Sequence, residues 1–220
     1  MRAMILAAGR GERLRPLTDR TPKPLVEVGG EPLLGRHIRR LRAAGFQRLV
    51  INTSHLAGQI RDYVGDGSRW GLTIRVIYEG PEPLETGGGL RNALPLLGPE
   101  PFLAINGDIV TDYPFERLTD VRPSGAHLVL VDNPAWRSGG DFLLVDDRVT
   151  AREPAGLTFS GIAVYRPALL AGPERGPFSV VPLLEGAIEA GTLTGEHYRG
   201  LWHDTGTAER LEAARAAVLA

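Results

Sequence analysis

The chain has 220 residues and no cysteine. Disulfide staples, thiolate metal ligands and cysteine nucleophiles are therefore excluded. Long apolar runs are missing as well, so no segment reads as a bilayer-spanning helix and no membrane partner is expected. Neither sign of charge is in excess. Lys and Arg number 25, Asp and Glu 26, and the formal net charge is -1. That balance gives no electrostatic reason to expect a nucleic acid, so any anion site has to be local. No signal-peptide pattern precedes the first strand-like run, and a cytoplasmic location is the default expectation. Nothing in the sequence indicates a protein partner, an internal repeat or a low-complexity tract.

Lysine is almost absent. Of the 25 cationic residues 24 are arginine, and the one lysine is Lys23, within Arg20-Thr21-Pro22-Lys23-Pro24-Leu25. An ammonium is a compact point charge on a thin stem, suited to a single phosphate oxygen, whereas a guanidinium forks across two. The flanking prolines restrict the backbone and predict no helix around Lys23.

Upstream of it, Met4-Ile5-Leu6-Ala7 reads as a buried strand that breaks into Ala8-Gly9-Arg10-Gly11-Glu12-Arg13-Leu14-Arg15. Glycines at the carboxyl end of a strand let backbone N–H groups face an anion, and nearby arginines neutralise it. Two other phosphate loops are excluded. There is no Gly-Lys-Ser/Thr ending, and Gly9-Arg10-Gly11-Glu12-Arg13-Leu14 lacks the third glycine of a dinucleotide fingerprint, which disfavours a dinucleotide-dependent oxidoreductase.

Strand-like runs at Ala3–Ala7, Arg48–Asn52, Thr73–Tyr78 and Phe102–Ile105 alternate with helix-like runs at Leu33–Ala44, about His55–Val64 and Glu85–Leu97. This order predicts an α/β fold, a Rossmann-like, mostly parallel sheet flanked by helices. In Leu33–Ala44 the apolar stripe is Leu34, Ile38 and Leu41, leaving Arg36, Arg39, Arg40 and Arg42 as a solvated face. From about residue 112 strands follow one another at Ala126–Val131, Phe142–Val145 and Leu157–Val164, which suggests a small antiparallel lobe. An alanine-rich helix over Thr207–Ala220, with Thr207 as N-cap, closes the chain. The expectation is one domain, with parts at about 1–111 and 112–200 and the closing helix at 207–220.

Two aspartates sit at strand ends: Asp108 after Phe102–Ile105 through Asn106-Gly107, and Asp204 in Trp202-His203-Asp204-Thr205-Gly206. Ligands of open α/β sheets gather at such carboxyl edges. By itself Asn106-Gly107-Asp108 is equally a turn. His197 and His203 lack a spaced ligand set for zinc.

Leu6-Ala7-Ala8-Gly9-x-Gly11-x-Arg13-Leu14-x-Pro16-Leu17-Thr18 with Pro22-Lys23-Pro24-Leu25 resembles the signature of the sugar-phosphate nucleotidyltransferases. Glu85-Thr86-Gly87-Gly88-Gly89, Asn106-Gly107-Asp108, Thr158-Phe159-Ser160-Gly161 and Trp202–Thr207 extend the likeness along the chain. The resemblance implies joining a nucleoside triphosphate to a sugar 1-phosphate with release of pyrophosphate. It also implies Mg²⁺ as cofactor, held by Asp108 and Asp204.

For the nucleotide it implies Ala8, Gly9, Gly11, Glu12, Arg13, Lys23, Glu85, Thr86 and Gly87, with Arg13 and Lys23 acting on the phosphates. The Gly87–Gly89 run would let a flat base approach. For the sugar phosphate it implies Asn106, Asp141, Glu153, Ser160 and Gly161, making residues 112–200 a sugar-binding lobe. Relatives carry Glu-Lys-Pro where this chain has Arg152-Glu153-Pro154, which leaves Glu153 open as a contact. The match to a short branch that recycles cell-wall sugars implies UTP and N-acetylmuramate 1-phosphate, with GTP and mannose 1-phosphate as the alternative. Arg199 is equally a partner for the sugar's carboxylate or a structural residue. A non-catalytic sensor would have lost Arg13, Lys23 or an aspartate, and none is lost.

Overall fold

The computed structural model describes residues 1–172 and 176–219. In chain order its elements are β1 (Ala3–Leu6), β2 (Glu27–Val28), β3 (Glu31–Pro32), α1 (Leu33–Ala43), β4 (Arg48–Thr53), α2 (Ala57–Val64), β5 (Thr73–Tyr78) and α3 (Glu85–Leu97). There follow β6 (Phe102–Asn106), β7 (Ile109–Thr111), β8 (Ala126–Val131), β9 (Leu143–Val145), β10 (Arg148–Ala151), β11 (Thr158–Tyr165), α4 (Val181–Glu189), β12 (Leu193–Tyr198), β13 (Trp202–Asp204) and α5 (Ala208–Leu219). Ala220, the last residue of the expected closing helix, lies outside the described residues.

Nine strands form one sheet in the order β5-β4-β1-β6-β11-β8-β12-β10-β9. Only β11 and β10 oppose the other seven in direction, so the sheet is mostly parallel. The strands expected as an antiparallel lobe continue this same sheet rather than standing apart from it. The period-2 alternation of β1 sends Ala3 and Ile5 to one face and Met4 to the other. On the first face Leu34, Ile38 and Leu41 of α1 and Ile60 and Val64 of α2 pack against Ile5, Ile51 and Ile105. On the second, Leu90, Ala93 and Leu97 of α3 and Leu184 and Ala187 of α4 cover Met4, Val50 and Ala104. Both faces are thus closed by helices, the requirement for buried parallel strands.

A third apolar cluster joins Leu211 and Ala214 of α5 to Leu14, Val26, Leu33 and Val110. It clamps the segment after β1 onto the β7–β13 ribbon. Thr207 caps α5 as expected, its hydroxyl accepting from Arg210 N at 3.3 Å. Two expectations about local structure change. Lys23 opens a single 3₁₀ turn, Lys23–Leu25, because Pro24 fits the first turn of a helix. Arg40 leaves the solvated face of α1. Its guanidinium donates to Tyr113 O at 2.8 Å and lies 5.7 Å from the centre of the Phe115 ring.

Candidate active site

The carboxyl ends of β1 and β6 lie side by side, with Leu6 opposite Asn106. Gly107 N donates to Leu6 O at 2.8 Å, and a Cβ at Gly107 would stand 2.7 Å from that oxygen. Only glycine permits so close an approach, which brings Asp108 to the loop following β1. Lys23 reaches the same place from its 3₁₀ turn. Its Nζ is 2.5 Å from Asp108 Oδ2, and its side chain is buried.

Gly11 takes φ 67°, and a Cβ there would press on Thr18 Cγ2 at 2.9 Å and Lys23 Cβ at 3.2 Å. The Thr18 hydroxyl donates to Gly11 O at 2.8 Å, and His55 Nε2 lies 2.8 Å from Thr18 O. The phosphate-loop candidate is therefore braced from the start of α2. Its arginines have different partners. Arg10 donates to Pro81 O and Glu82 Oε1, both at 2.9 Å, and Arg15 pairs with Asp19 at 3.3 Å. Arg13 forms no ion pair among the described residues and comes against Gly206, where a Cβ would meet its Nη2 at 2.8 Å. Glu12 is exposed beside it, 4.0 Å from Arg15.

Asp204 enters through the β7–β13 ribbon, in which it pairs with Ile109, the residue after Asp108. Thr205 fastens the two segments: its N–H and hydroxyl both donate to Asp108 O, at 3.0 and 2.7 Å. The Asp204 carboxylate accepts from Gly206 N at 2.7 Å and Arg210 Nη1 at 2.9 Å. Arg13, Lys23, Asp108 and Asp204 are thus brought to one edge of the sheet. The two aspartates are oxygen donors on neighbouring strand ends, each already facing a cation, and no third histidine or acid joins them among the described residues. Carboxylate oxygens are the donors Mg²⁺ prefers, one or two of them alongside phosphate oxygens and water.

A cleft of about 200 Å³ opens beside this edge, lined by Leu6, Ala8, Gly9, Asn52, Glu79, Pro83, Glu85 and Thr86. Asn52 and Glu79, which the sequence reading did not single out, form its polar floor. Asn52 Oδ1 accepts from Ala7 N at 2.8 Å, Asn52 Nδ2 donates to Glu79 Oε1 at 2.7 Å, and Leu84 N donates to Glu79 Oε2 at 2.8 Å. The glycine run plays a different part from the one expected. A Cβ at Gly87 would strike Phe178, one at Gly88 the Gly176 carbonyl, and one at Gly89 Glu79 Oε1. Gly87 N already donates to Phe178 O at 2.9 Å. These glycines seat α3 against the protein itself, and Gly87 stands outside the cleft.

On the other side, Ser160 and Gly161 form a bulge where β11 slips register against β8. Asn106 lies over Gly161, where a Cβ would be 2.4 Å from Asn106 Nδ2, and its amide makes no hydrogen bond among the described residues. Ser160 is a correction: the whole residue is buried, its hydroxyl donating to Val129 O at 2.6 Å and its carbonyl accepting from the Trp202 indole at 2.9 Å. Asp141 is also engaged. Arg137 grips it with 2.9 and 2.5 Å contacts, and Phe159 N donates to it at 2.9 Å, so its position is braced before any ligand arrives. The Glu153 side chain is exposed, with its amide bonded to Asp141 O at 3.1 Å.

Residues 2–133 match the family described as Nucleotidyl transferase. The chain belongs to that family. Among similar nucleotidyl transferases is the N-acetylmuramate alpha-1-phosphate uridylyltransferase of Neisseria meningitidis serogroup B. It is 48% identical, over 98% of this chain and 97% of that one. The protein of the same name from Caulobacter vibrioides is 32% identical over 97% of this chain and 95% of its own. A Bacillus anthracis protein solved in complex with a sucrose superposes with TM-score 0.86 at 22% identity, covering 99% of this chain and 94% of that one, which shows a shared fold.

Proposed function

We propose that this nucleotidyl transferase joins UTP to N-acetylmuramate 1-phosphate, giving UDP-N-acetylmuramate and pyrophosphate, as a cytoplasmic step in the recycling of cell-wall sugars. The observation that carries the reading is near-full-length identity to uridylyltransferases of that name, in a chain that keeps Arg13, Lys23, Asp108 and Asp204 at one sheet edge.

In the reaction a sugar-phosphate oxygen bonds to the α-phosphorus of UTP as the bond from that phosphorus to the bridging oxygen breaks. A sugar 1-phosphate is largely dianionic at neutral pH, so its oxygen needs no general base. The barrier lies in bringing two polyanions together and stabilising charge on the leaving pyrophosphate. Arg13 and the amides at Gly11 and Glu12 hold the β- and γ-phosphates. Lys23 sets its point charge against the reacting phosphates while its Nζ stays beside Asp108. Asp108 and Asp204 are the residues that would hold Mg²⁺, which would supply positive charge to offset the phosphate charge. The cleft at Ala8, Gly9, Glu85 and Thr86 takes the uracil, over the Asn52–Glu79 floor. Asn106, lying over the Gly161 bulge, faces the sugar, and Asp141 accepts from a ring hydroxyl while Arg137 holds it in place.

The test is pyrophosphate release measured with UTP or GTP against N-acetylmuramate, glucose and mannose 1-phosphates. The expected result is the highest kcat/KM for UTP with N-acetylmuramate 1-phosphate. A preference for GTP with mannose 1-phosphate would overturn the substrate assignment and leave the reaction class standing.

A further inference from the structure

The largest feature next to the reaction centre lies on the far side of Asp204. A cleft of about 590 Å³ separates α5 from the segment containing Pro134, Ala135 and Trp136. Asp204 belongs to its wall, and so does Trp202, whose indole N–H donates to Ser160 O at 2.9 Å in the bulge beside Asn106. Through Trp202 the cleft borders the bulge on the side assigned to the sugar. Its sides are largely apolar, from Trp136, Trp202, Pro134 and Ala213. A pyranose with nothing but hydroxyls has little use for such walls.

Arg210 is the one arginine or lysine that lines the cleft. Its guanidinium carbon is 3.4 Å from the centre of the Trp136 ring, at stacking distance, and its Nη1 donates to Asp204 Oδ1 at 2.9 Å. Stacking on an indole holds a guanidinium in one plane and leaves its edge N–H groups free to fork onto a carboxylate. No other side-chain hydrogen bond of Arg210 occurs among the described residues. Of the acids in the wall, Asp204 is the residue proposed to hold the metal, so in the working complex its charge is offset. Glu209 is exposed and bonded back to Thr207 and its own amide in the first turn of α5. With Asp204 serving the metal, Glu209 would be the remaining acidic neighbour of Arg210, whose edge N–H groups are then open to an anion on the ligand.

We propose that Arg210, seated on Trp136, receives the carboxylate of an acidic sugar 1-phosphate and so selects that sugar over its neutral counterpart. The inference rests on the function proposed above and names the residue by which it is specified. N-acetylmuramate differs from N-acetylglucosamine by a three-carbon ether that ends in a carboxylate. The apolar walls suit its carbons, and Arg210 suits its charge. Arg199, the sequence-based candidate for that carboxylate, is exposed and does not line the cleft.

The experiment compares N-acetylmuramate 1-phosphate with N-acetylglucosamine 1-phosphate, which share the phosphate and differ in the carboxylate. Both kcat/KM with UTP and the calorimetric Kd in the presence of an unreactive UTP analogue are measured. In Arg210→Gln the preference for the acidic sugar should drop by about tenfold or more in both quantities, the loss of one charge-assisted contact. Arg210→Lys should recover part of it, and Trp136→Leu should lower it without any charge change. A ratio that stays at the wild-type value, with both sugars weakened alike, would mean that Arg210 serves the phosphate or Asp204 and would overturn the proposal. Thermal melts identify a variant that fails to fold, in which case Trp136→Leu and Arg210→Lys decide. Wild-type protein that does not turn over N-acetylmuramate 1-phosphate with UTP sinks the proposed function itself, visibly and before any variant is made.

Discussion

Lys23 Nζ sits 2.5 Å from Asp108 Oδ2, with the lysine side chain 8% exposed and the aspartate 34% exposed. The lysine that survives in an arginine-rich chain is therefore in contact with a strand-end carboxylate at the edge proposed for catalysis. The contact is tight on every side. Gly11 stands over the lysine stem, where a Cβ would be 3.2 Å from Lys23 Cβ, and Pro22 and Pro24 restrict its backbone. A thin stem fits that slot, and a planar fork at its end would have to displace Asp108.

Lys23→Arg should consequently fail to rescue Lys23→Ala. Single-turnover rates of the arginine variant are expected to stay at least about tenfold below wild type, roughly 1.4 kcal/mol of barrier. Rates within about threefold of wild type would show that charge alone suffices and that the slot does not discriminate.

Asp108→Asn and Asp204→Asn should each lower turnover by about two orders of magnitude or more and shift the Mg²⁺ dependence to higher concentration, because an amide is a poor substitute for an anionic oxygen ligand. They should differ in stability. Asp108→Asn leaves a buried ammonium facing only a neutral amide oxygen, costing about 1 kcal/mol after allowing for the partial exposure of Asp108. In Asp204→Asn the amide oxygen still accepts from Gly206 N and Arg210, so its urea midpoint should move less. An unchanged Mg²⁺ titration in either variant removes that residue from the metal site.

What the sequence displayed and what it hid divide along physical lines. β1, β4, β5 and β6 are apolar runs with clear ends, and the α1 stripe at Leu34, Ile38 and Leu41 matches a helical period, so local pattern located them. β12 reads Leu-Thr-Gly-Glu-His-Tyr, polar and interrupted by Gly195. It is a strand because β8 pairs with it, a cause outside any local window. Strand-end carboxylates and a lone lysine were legible as candidates, and the fold brings them to one edge. Asn52, Glu79, Arg137 and Arg210 were not, since each acquires its place from a partner distant in sequence or from a loop folded onto another element. The glycines Gly87–Gly89 carry two meanings in the sequence, because close approach to Phe178 and Glu79 leaves the same mark as close approach to a base.

His37, buried on α1 with no hydrogen-bond partner for either ring nitrogen among the described residues, should make stability fall in mild acid. Burial lowers its pKa from 6.5 to about 4. Between those values the unfolded chain binds a proton that the folded one refuses, so stability rises with pH across the window and is fully present above about pH 6.5. At pH 5 the loss should be about 2 kcal/mol relative to pH 7. His37→Leu removes the titrating ring and should remove this part of the acid limb. Urea melts at both pH values check it: equal pH dependence in wild type and variant would show that His37 is not the source.

Gly206→Ala isolates geometry from charge at the proposed centre. The added Cβ would stand 2.6 Å from Asp204 Oδ1 and 2.8 Å from Arg13 Nη2, so one or both functional groups must move although neither is altered chemically. Misplacing a phosphate-holding guanidinium or a metal ligand by about 1 Å can cost on the order of a hundredfold in rate. Turnover should fall at least about tenfold, with little change in the melting midpoint, since the displaced groups have room at the open edge. Gly58→Ala in α2 is the matched control. Nothing lies within 4 Å of a Cβ there, so the change should leave activity intact and stabilise the fold by up to about 1 kcal/mol through helix propensity. If Gly206→Ala matched Gly58→Ala in turnover, the positions of Arg13 and Asp204 beside that glycine would be irrelevant to the chemistry. The proposed assembly of the site around the β13–α5 turn would then be wrong.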